Sequence, residues 1–256
     1  MGLILELKDI GMNFHDPVNE TIAIEDVSFD VYEGEFVSIV GPSGCGKSTL
    51  LSIISSLLAP SRGECLIGGK TAAEGKKTRR TVGYMLQSDH LFEWRTILGN
   101  ALLGLEVRGE LCAQNRAACE SLLARYGLSE FRNHRPSQLS GGMRQRAALI
   151  RTLAIDPSIL LLDEPFSALD YQTRLRVADD IATIIRKEGK TAVLVTHDIS
   201  EAVSVSDRVI VLSKRPSRII NIHHVGLSNI ETSPIKAREH PDFRKYFNLI
   251  WKELEV

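Results

Sequence analysis

The chain lacks the features that mark membrane-spanning, disulfide-built or metal-scaffolded proteins. No apolar run reaches the ~18 residues needed to cross a bilayer, and no basic-then-apolar signal opens it. If such a protein serves a membrane, it does so from outside the lipid. There are only 4 cysteines, Cys45, Cys65, Cys112 and Cys119, and none has metal-type pairing. Cys112 and Cys119 stand at a helical spacing that suits packing better than a ligand pair. Reduced thiols in a cytosolic protein are the expectation. An excess of one charge is missing as well: 31 Lys and Arg face 32 Asp and Glu, for a net charge of −1. That balance argues against a generic nucleic-acid binder. The local cluster Lys76-Lys77-Thr78-Arg79-Arg80 reads as a solvated loop.

What is present is an ordinary soluble composition, 43% hydrophobic and 25% charged, on 256 residues. That length buries a sizeable core as one large domain or a domain with a subdomain. Against this background one stretch stands out, Gly41-Pro42-Ser43-Gly44-Cys45-Gly46-Lys47-Ser48-Thr49. It fits G-x-x-x-x-G-K-[ST], the glycine-rich phosphate-binding loop, which arises by chance in such a chain about one per cent of the time. Its flanks are those the motif needs. The apolar β-type run Glu35–Val40 precedes it, and Leu50-Leu51-Ser52-Ile53-Ile54 continues as a helix. Glycines let successive N–H groups converge on phosphate oxygens, and the positive end of the helix adds to the anion site. Lys47 is expected to reach the β- and γ-phosphates of a nucleotide, and the Ser48 hydroxyl to ligate Mg²⁺.

Residues 3–10 and 22–31 read as two strands joined by the turn Asp16-Pro17-Val18-Asn19-Glu20. Phe14, just before the turn, could stack on an adenine base or simply pack. Short strands are expected at Glu64–Ile67 and Thr81–Leu86, with a charged surface loop at 70–80 between them. From 88 to about 155 strand signals vanish and helical periodicity takes over, as in Leu111, Cys112, Asn115, Cys119, Leu122, Leu123 and Tyr126. This predicts a helical subdomain inserted between strands. Within it Ser140 caps a helix over 142–154. Strands return at 159–162, 191–195 and 207–212, with a helix over 171–187. Such alternation predicts a parallel sheet covered on both faces. In the tail, 241–256, Phe243, Phe247, Ile250, Trp251 and Leu254 share one helical face that packs on the body.

Leu160-Leu161-Leu162-Asp163-Glu164 is an apolar strand ending in two carboxylates. Ligands of parallel sheets gather at the carboxyl ends of the strands, so these acids should lie beside the phosphate loop. Asp163 is then placed to hold Mg²⁺ through water, and Glu164 to orient or deprotonate an attacking water. Gln87, ending one strand, could sense Mg²⁺ and that water. His197, ending another, could donate to a γ-phosphate.

Taken in order, Gly41–Thr49, Gln87, Leu139-Ser140-Gly141-Gly142-Met143, Leu160–Glu164, Ser167-Ala168-Leu169-Asp170 and His197 resemble the Walker A, Q-loop, signature, Walker B, D-loop and H-loop motifs of the ATP-binding cassette family. The likeness runs over residues 3–225. It implies an α/β fold: a P-loop NTPase core with a mixed, largely parallel sheet, an N-terminal antiparallel β subdomain and the helical insert. Residues 1–225 would form the ATPase domain and 226–256 a helical tail. It also implies ATP and Mg²⁺ as cofactors, the Mg²⁺ near Ser48, Gln87 and Asp163. Catalysis would fall to Glu164, His197 and Gln87, with Phe14, the whole loop 41–49 and Ser140, Gly141 and Gly142 on the nucleotide. Two copies would close head to tail, each ATP held between the loop of one and Ser140–Gly142 of the other. That cycle would drive two transmembrane permease subunits through the groove near Gln87, on the cytoplasmic face of the membrane. An extracytoplasmic solute-binding protein would take part indirectly and no nucleic acid would be involved. The fifth signature residue, usually Gln, is here Met143.

Residues 87–100 and the tail around Asp242-Phe243 and Ile250-Trp251 are similar to those of nitrate, sulfonate and taurine importers. Glu93 stands where that group has Pro. The rival reading is a soluble ATPase of the same family acting on nucleic acid, ribosomes or iron–sulfur assembly. DNA-repair members split the cassette with a long coiled coil, whereas only 51 residues, 88–138, separate Gln87 from Leu139. Translation-factor members carry two cassettes, and this chain has one set of motifs.

Overall fold

The structure is a computed structural model that describes residues 2–15, 20–71, 81–227 and 233–255. The expected basic cluster at 76–80 and the turn at 16–19 lie outside the described residues.

Two sheets organise the chain. The first is antiparallel, in the order β2-β1-β4-β5, built from β1 (Leu3–His15), β2 (Glu20–Tyr32), β4 (Arg62–Ile67) and β5 (Lys70–Thr71). The second has the order β10-β9-β3-β8-β7-β6, from β3 (Phe36–Val40), β6 (Val82–Met85), β7 (Ile159–Asp163), β8 (Thr191–Thr196), β9 (Arg208–Leu212) and β10 (Ile219–His224). Its neighbours are parallel throughout except β10, which runs antiparallel to β9 at the edge. All five residues of β3 and all six of β8 are buried, as the mostly apolar strands of a parallel sheet are when both its faces are covered.

One face of this sheet packs with α1 (Lys47–Ile54) against the antiparallel sheet, around Leu5, Ile24, Ile39, Leu50, Ile54 and Leu161. The other carries α5 (Gly141–Leu153) and α6 (Tyr171–Lys187). The short helices α2 (Ile97–Ala101) and α3 (Leu103–Arg108) and the longer α4 (Ala113–Arg125) complete the segment 88–155, in which no strand occurs among the described residues. A third core lies where α7 (Ile199–Val205) and α9 (Phe243–Leu254) meet β3 and β9. There Ile250 is fully buried beside Val40, Ile199 and Val211. The one-turn helix α8 (Pro234–Ala237) connects to the tail.

Most boundaries fall within a residue or two of the sequence reading. The first two strands run further than expected because their pairing shifts register between Leu7 and Asn13, where Asp9 takes a φ of 50°. Such bulges scramble the apolar–polar alternation by which a strand is recognised. The short elements β5, β10 and α8 were not anticipated.

Candidate functional site

Four of the parallel strands, β3, β6, β7 and β8, deliver site residues at their carboxyl ends. The register places Val40 opposite Thr196, Asp163 opposite Val195, and Met85 opposite Leu162. The loop after Val40, Gln87 after β6, Glu164 after β7 and His197 after β8 therefore emerge along one edge.

The loop 41–46 turns into α1 through Gly46, whose φ of 112° is closed to side-chain-bearing residues. As N-cap, Gly46 offers no side-chain cap, and the first turn of α1 holds no acidic residue. The positive helix end is left to an outside anion. Lys47 is buried, and its ammonium donates to the carbonyls of Gly41 at 2.8 Å and Pro42 at 3.0 Å. The loop is wrapped around its own cation, and an incoming phosphate would exchange with those carbonyls.

Beside it the Ser48 hydroxyl donates to Asp163 Oδ1 at 3.0 Å, and Tyr84 donates to Asp163 Oδ2 at 3.2 Å. Burial pushes the Asp163 carboxyl up, against the pull of the Ser48 and Tyr84 hydrogen bonds. Burial and the same carboxylate push the Tyr84 phenol up. Neighbouring oxygens on an octahedral Mg²⁺ stand about 2.9 Å apart, since each bond is 2.0–2.1 Å. The Ser48–Asp163 pair has that separation and hard-oxygen chemistry, so the donor set fits the ion. Among the described residues no cluster of three or more His, Cys, Asp or Glu is arranged to hold a metal alone.

Glu164 has a φ of 43°, in the left-handed region. Its amide donates to the Val195 carbonyl at 2.9 Å, while the amide and hydroxyl of Ser167 donate to its own carbonyl at 3.2 and 3.0 Å. Its carboxylate Oε2 lies 3.0 Å from Nδ1 of His197. The Gln87 amide donates to the Ser167 hydroxyl at 3.3 Å. A carboxylate paired with an imidazole beside a phosphate cradle can polarise a water while the imidazole orients a phosphoryl oxygen.

Loop 41–49, Gln87, Asp163, Glu164 and His197 thus share one edge. Ser140, Gly141 and Gly142 do not join it: among the described residues no hydrogen bond ties them to that edge. Ser140 instead caps α5, accepting from the Met143 amide at 3.4 Å. Met143 makes this bond from its backbone, while its side chain packs on the core. Gly142 has a packing reason of its own. A Cβ there would lie 2.8 Å from Val177 Cγ2, so glycine lets α5 press onto α6. Phe14 stands 43% exposed on β1, and Glu93 accepts from the Ser137 amide at 3.1 Å.

Sequence reasoning missed Tyr84, Thr196, Asp198, Glu201 and Arg174. The flanks of His197 were the available signal, since hydroxyl and carboxylate on either side of a strand-end histidine close a turn. The Thr196 hydroxyl accepts from the Asp198 amide at 3.0 Å and donates to Glu201 at 2.7 Å.

The ABC transporter family profile matches residues 24–167, which include the loop and both strand-end carboxylates. The chain belongs to the ABC transporter family. It is an ABC ATPase, the nucleotide-binding subunit type, and ATP is its nucleotide. This cassette is 48% identical over 235 residues to the uncharacterized ABC transporter ATP-binding protein YtlC of Bacillus subtilis, covering 92% of this chain and 89% of that one. It is 35% identical over 254 residues to the taurine import ATP-binding protein TauB of Roseobacter denitrificans, covering 96% and 94%. Among solved structures it is similar to the dimeric post-hydrolysis state of the ATP-binding cassette MJ0796 bound to ADP and Pi. There the TM-score is 0.71 and the identity 35%, over 85% of this chain and 99% of that one.

Proposed function

We propose that this cassette powers a membrane importer for a small solute of the taurine, sulfonate or nitrate kind. Two copies would close on ATP and so drive a pair of transmembrane subunits from the cytoplasmic face. The observation that carries the ATPase part is the Glu164–His197 pair at 3.0 Å, next to the Ser48–Asp163 oxygens. In this reading Lys47 and the loop amides bind the phosphates, and Ser48, Asp163 and Gln87 hold Mg²⁺, which supplies charge neutralisation at the phosphates. Glu164 takes the proton of the attacking water, and His197 steadies the γ-phosphate. Phe14 faces the base, and Ser140, Gly141 and Gly142 serve the nucleotide of the partner copy.

Support for the dimer comes from the dimeric MJ0796 cassettes, and for import from the taurine relatives. The membrane partner would seat on the segment that follows Gln87 in the chain. Phe92 and Trp94 stack there with centroids 4.6 Å apart, and Trp94 is 71% exposed. Among the described residues no helix is long and apolar enough to cross a membrane. We read 1–225 as the ATPase domain, 88–155 as its helical insert and 226–256 as an added tail.

Glu164→Gln tests the reading. It should lower phosphate release by about a hundredfold or more while ATP affinity holds, and it should trap an ATP-bound dimer visible by light scattering. A wild-type rate in that variant overturns the assignment. Transport of labelled taurine, sulfonates and nitrate, measured with the membrane subunits that co-purify with it, decides the solute.

A further inference from the structure

We propose that Arg174, on α6 behind the site, is a positioning residue for hydrolysis: it closes a ring of contacts that fixes the Glu164–His197 pair to the loop 167–170. The inference rests on the reading of Glu164 and His197 as the hydrolytic pair.

The ring can be followed contact by contact. From the Glu164 carbonyl it passes to the amide and hydroxyl of Ser167. Two residues on, the Leu169 carbonyl accepts from Nη2 of Arg174 at 3.1 Å. The other terminal nitrogen of the same guanidinium, Nη1, lies 3.8 Å from Oδ2 of Asp198. Asp198 follows His197 directly, and His197 returns to the Glu164 carboxylate at 3.0 Å. One planar cation therefore spans the two loops that grip Glu164, one by its backbone and one by its side chain. The fork geometry of Arg suits that span as a point charge does not.

Asp198 is firmly set at its own end. Its Oδ1 accepts from the amides of Ser200 and Glu201 at 2.8 and 3.2 Å, which caps α7. The Thr196 hydroxyl bonds the Asp198 amide and the Glu201 carboxylate from beneath. Arg174 is 22% exposed in its side chain and Asp198 23%, so the pair is only partly screened by water. The Gln87 amide also reaches the ring, at the Ser167 hydroxyl. A movement of loop 167–170 would thus reach His197 through the Arg174 guanidinium, within one subunit. Loosening that link should disturb the aim of Glu164 and His197 and leave the phosphate cradle alone, because Lys47 and the loop 41–49 make no part of the ring.

The test is a set of variants of the full chain: Arg174→Ala, Arg174→Lys, Asp198→Asn, the double variant Arg174→Ala with Asp198→Asn, and Glu164→Gln alongside. Asn caps a helix as well as Asp, so Asp198→Asn keeps α7 and removes only the charge. Steady-state phosphate release and equilibrium ATP affinity are read for each, with thermal unfolding as the folding control. The expectation is a kcat about tenfold lower or more in Arg174→Ala and Asp198→Asn, with ATP affinity held within about twofold. Arg174→Lys should recover part of the loss, and the double variant should be no slower than the slower single one. A wild-type kcat in either folded single variant, additive losses, or a loss that follows ATP affinity overturns the proposal. Where Arg174→Ala fails to fold, Asp198→Asn decides alone by the same outcomes. Full activity in Glu164→Gln would defeat the underlying reading instead. An inactive Glu164→Gln beside a fully active Asp198→Asn defeats the ring only.

Discussion

Glu201 offers a thermodynamic test of how the turn after His197 is built. Its side chain is buried on α7, 4% exposed, with the Thr196 hydroxyl 2.7 Å from its carboxylate. Burial is the main cause that pushes its carboxyl from 4.5 up to about 7, ahead of the opposing Thr196 hydrogen bond. A carboxyl that binds its proton more tightly folded than unfolded favours the fold in acid. That stability is fully present below about pH 4.5 and is lost as pH rises through about 7. The whole effect is about 3 kcal/mol, of which about 2 kcal/mol develops between pH 5.5 and 8. Glu201→Gln keeps an oxygen to accept from Thr196 and removes the titration. Thermal unfolding of both proteins without nucleotide is the assay. The Tm of the variant minus that of the wild type should rise by about 4–8 °C over this interval. A difference that stays flat with pH would show that Glu201 does not titrate in the fold, and the reasoning fails.

Two further perturbations act on other parts of the site. Tyr84→Phe removes a donor that holds the Asp163 carboxyl down, so that carboxyl should rise further; the acid limb of ATPase activity should move to higher pH and half-saturation by Mg²⁺ should need about fivefold more ion, measured by phosphate release. An unchanged acid limb would remove Tyr84 from the site. Gly142→Ala puts a Cβ 2.8 Å from Val177 Cγ2, and the forced separation of α5 from α6 should cost about 1–3 kcal/mol, read as a lower Tm. A raised Tm would mean that helix propensity, not packing, governs the position.

The parts legible in the sequence were those written locally. Loop 41–49 carries its mechanism in adjacent residues, and β3, β7 and β8 announce themselves as largely apolar runs, broken in β3 only by the buried Ser38, because both their faces are buried. The edge strand β10 did not: with Asn221, His223 and His224 in six residues and no position fully buried, it has neither a run nor an alternation to read. The hidden site residues are hidden by distance. Tyr84 meets Asp163 across 79 positions, and Arg174 reaches Asp198 across a strand and a loop, so neither leaves a pattern along the chain. Ser140 lies between these cases, since its capping role was visible from its position while its proposed task belongs to a second copy.

The left-handed step at Glu164 has a consequence for how two like charges share an address. Neighbouring acids that faced one spot would compete for a single proton and partly neutralise each other. Here the turn, about 1–3 kcal/mol of backbone strain pinned by Val195 and Ser167, sends the second carboxylate to an imidazole while the first stays with two hydroxyls. Consecutive letters of the chain thereby keep separate company, and under the proposed function one would serve a cation and the other a water.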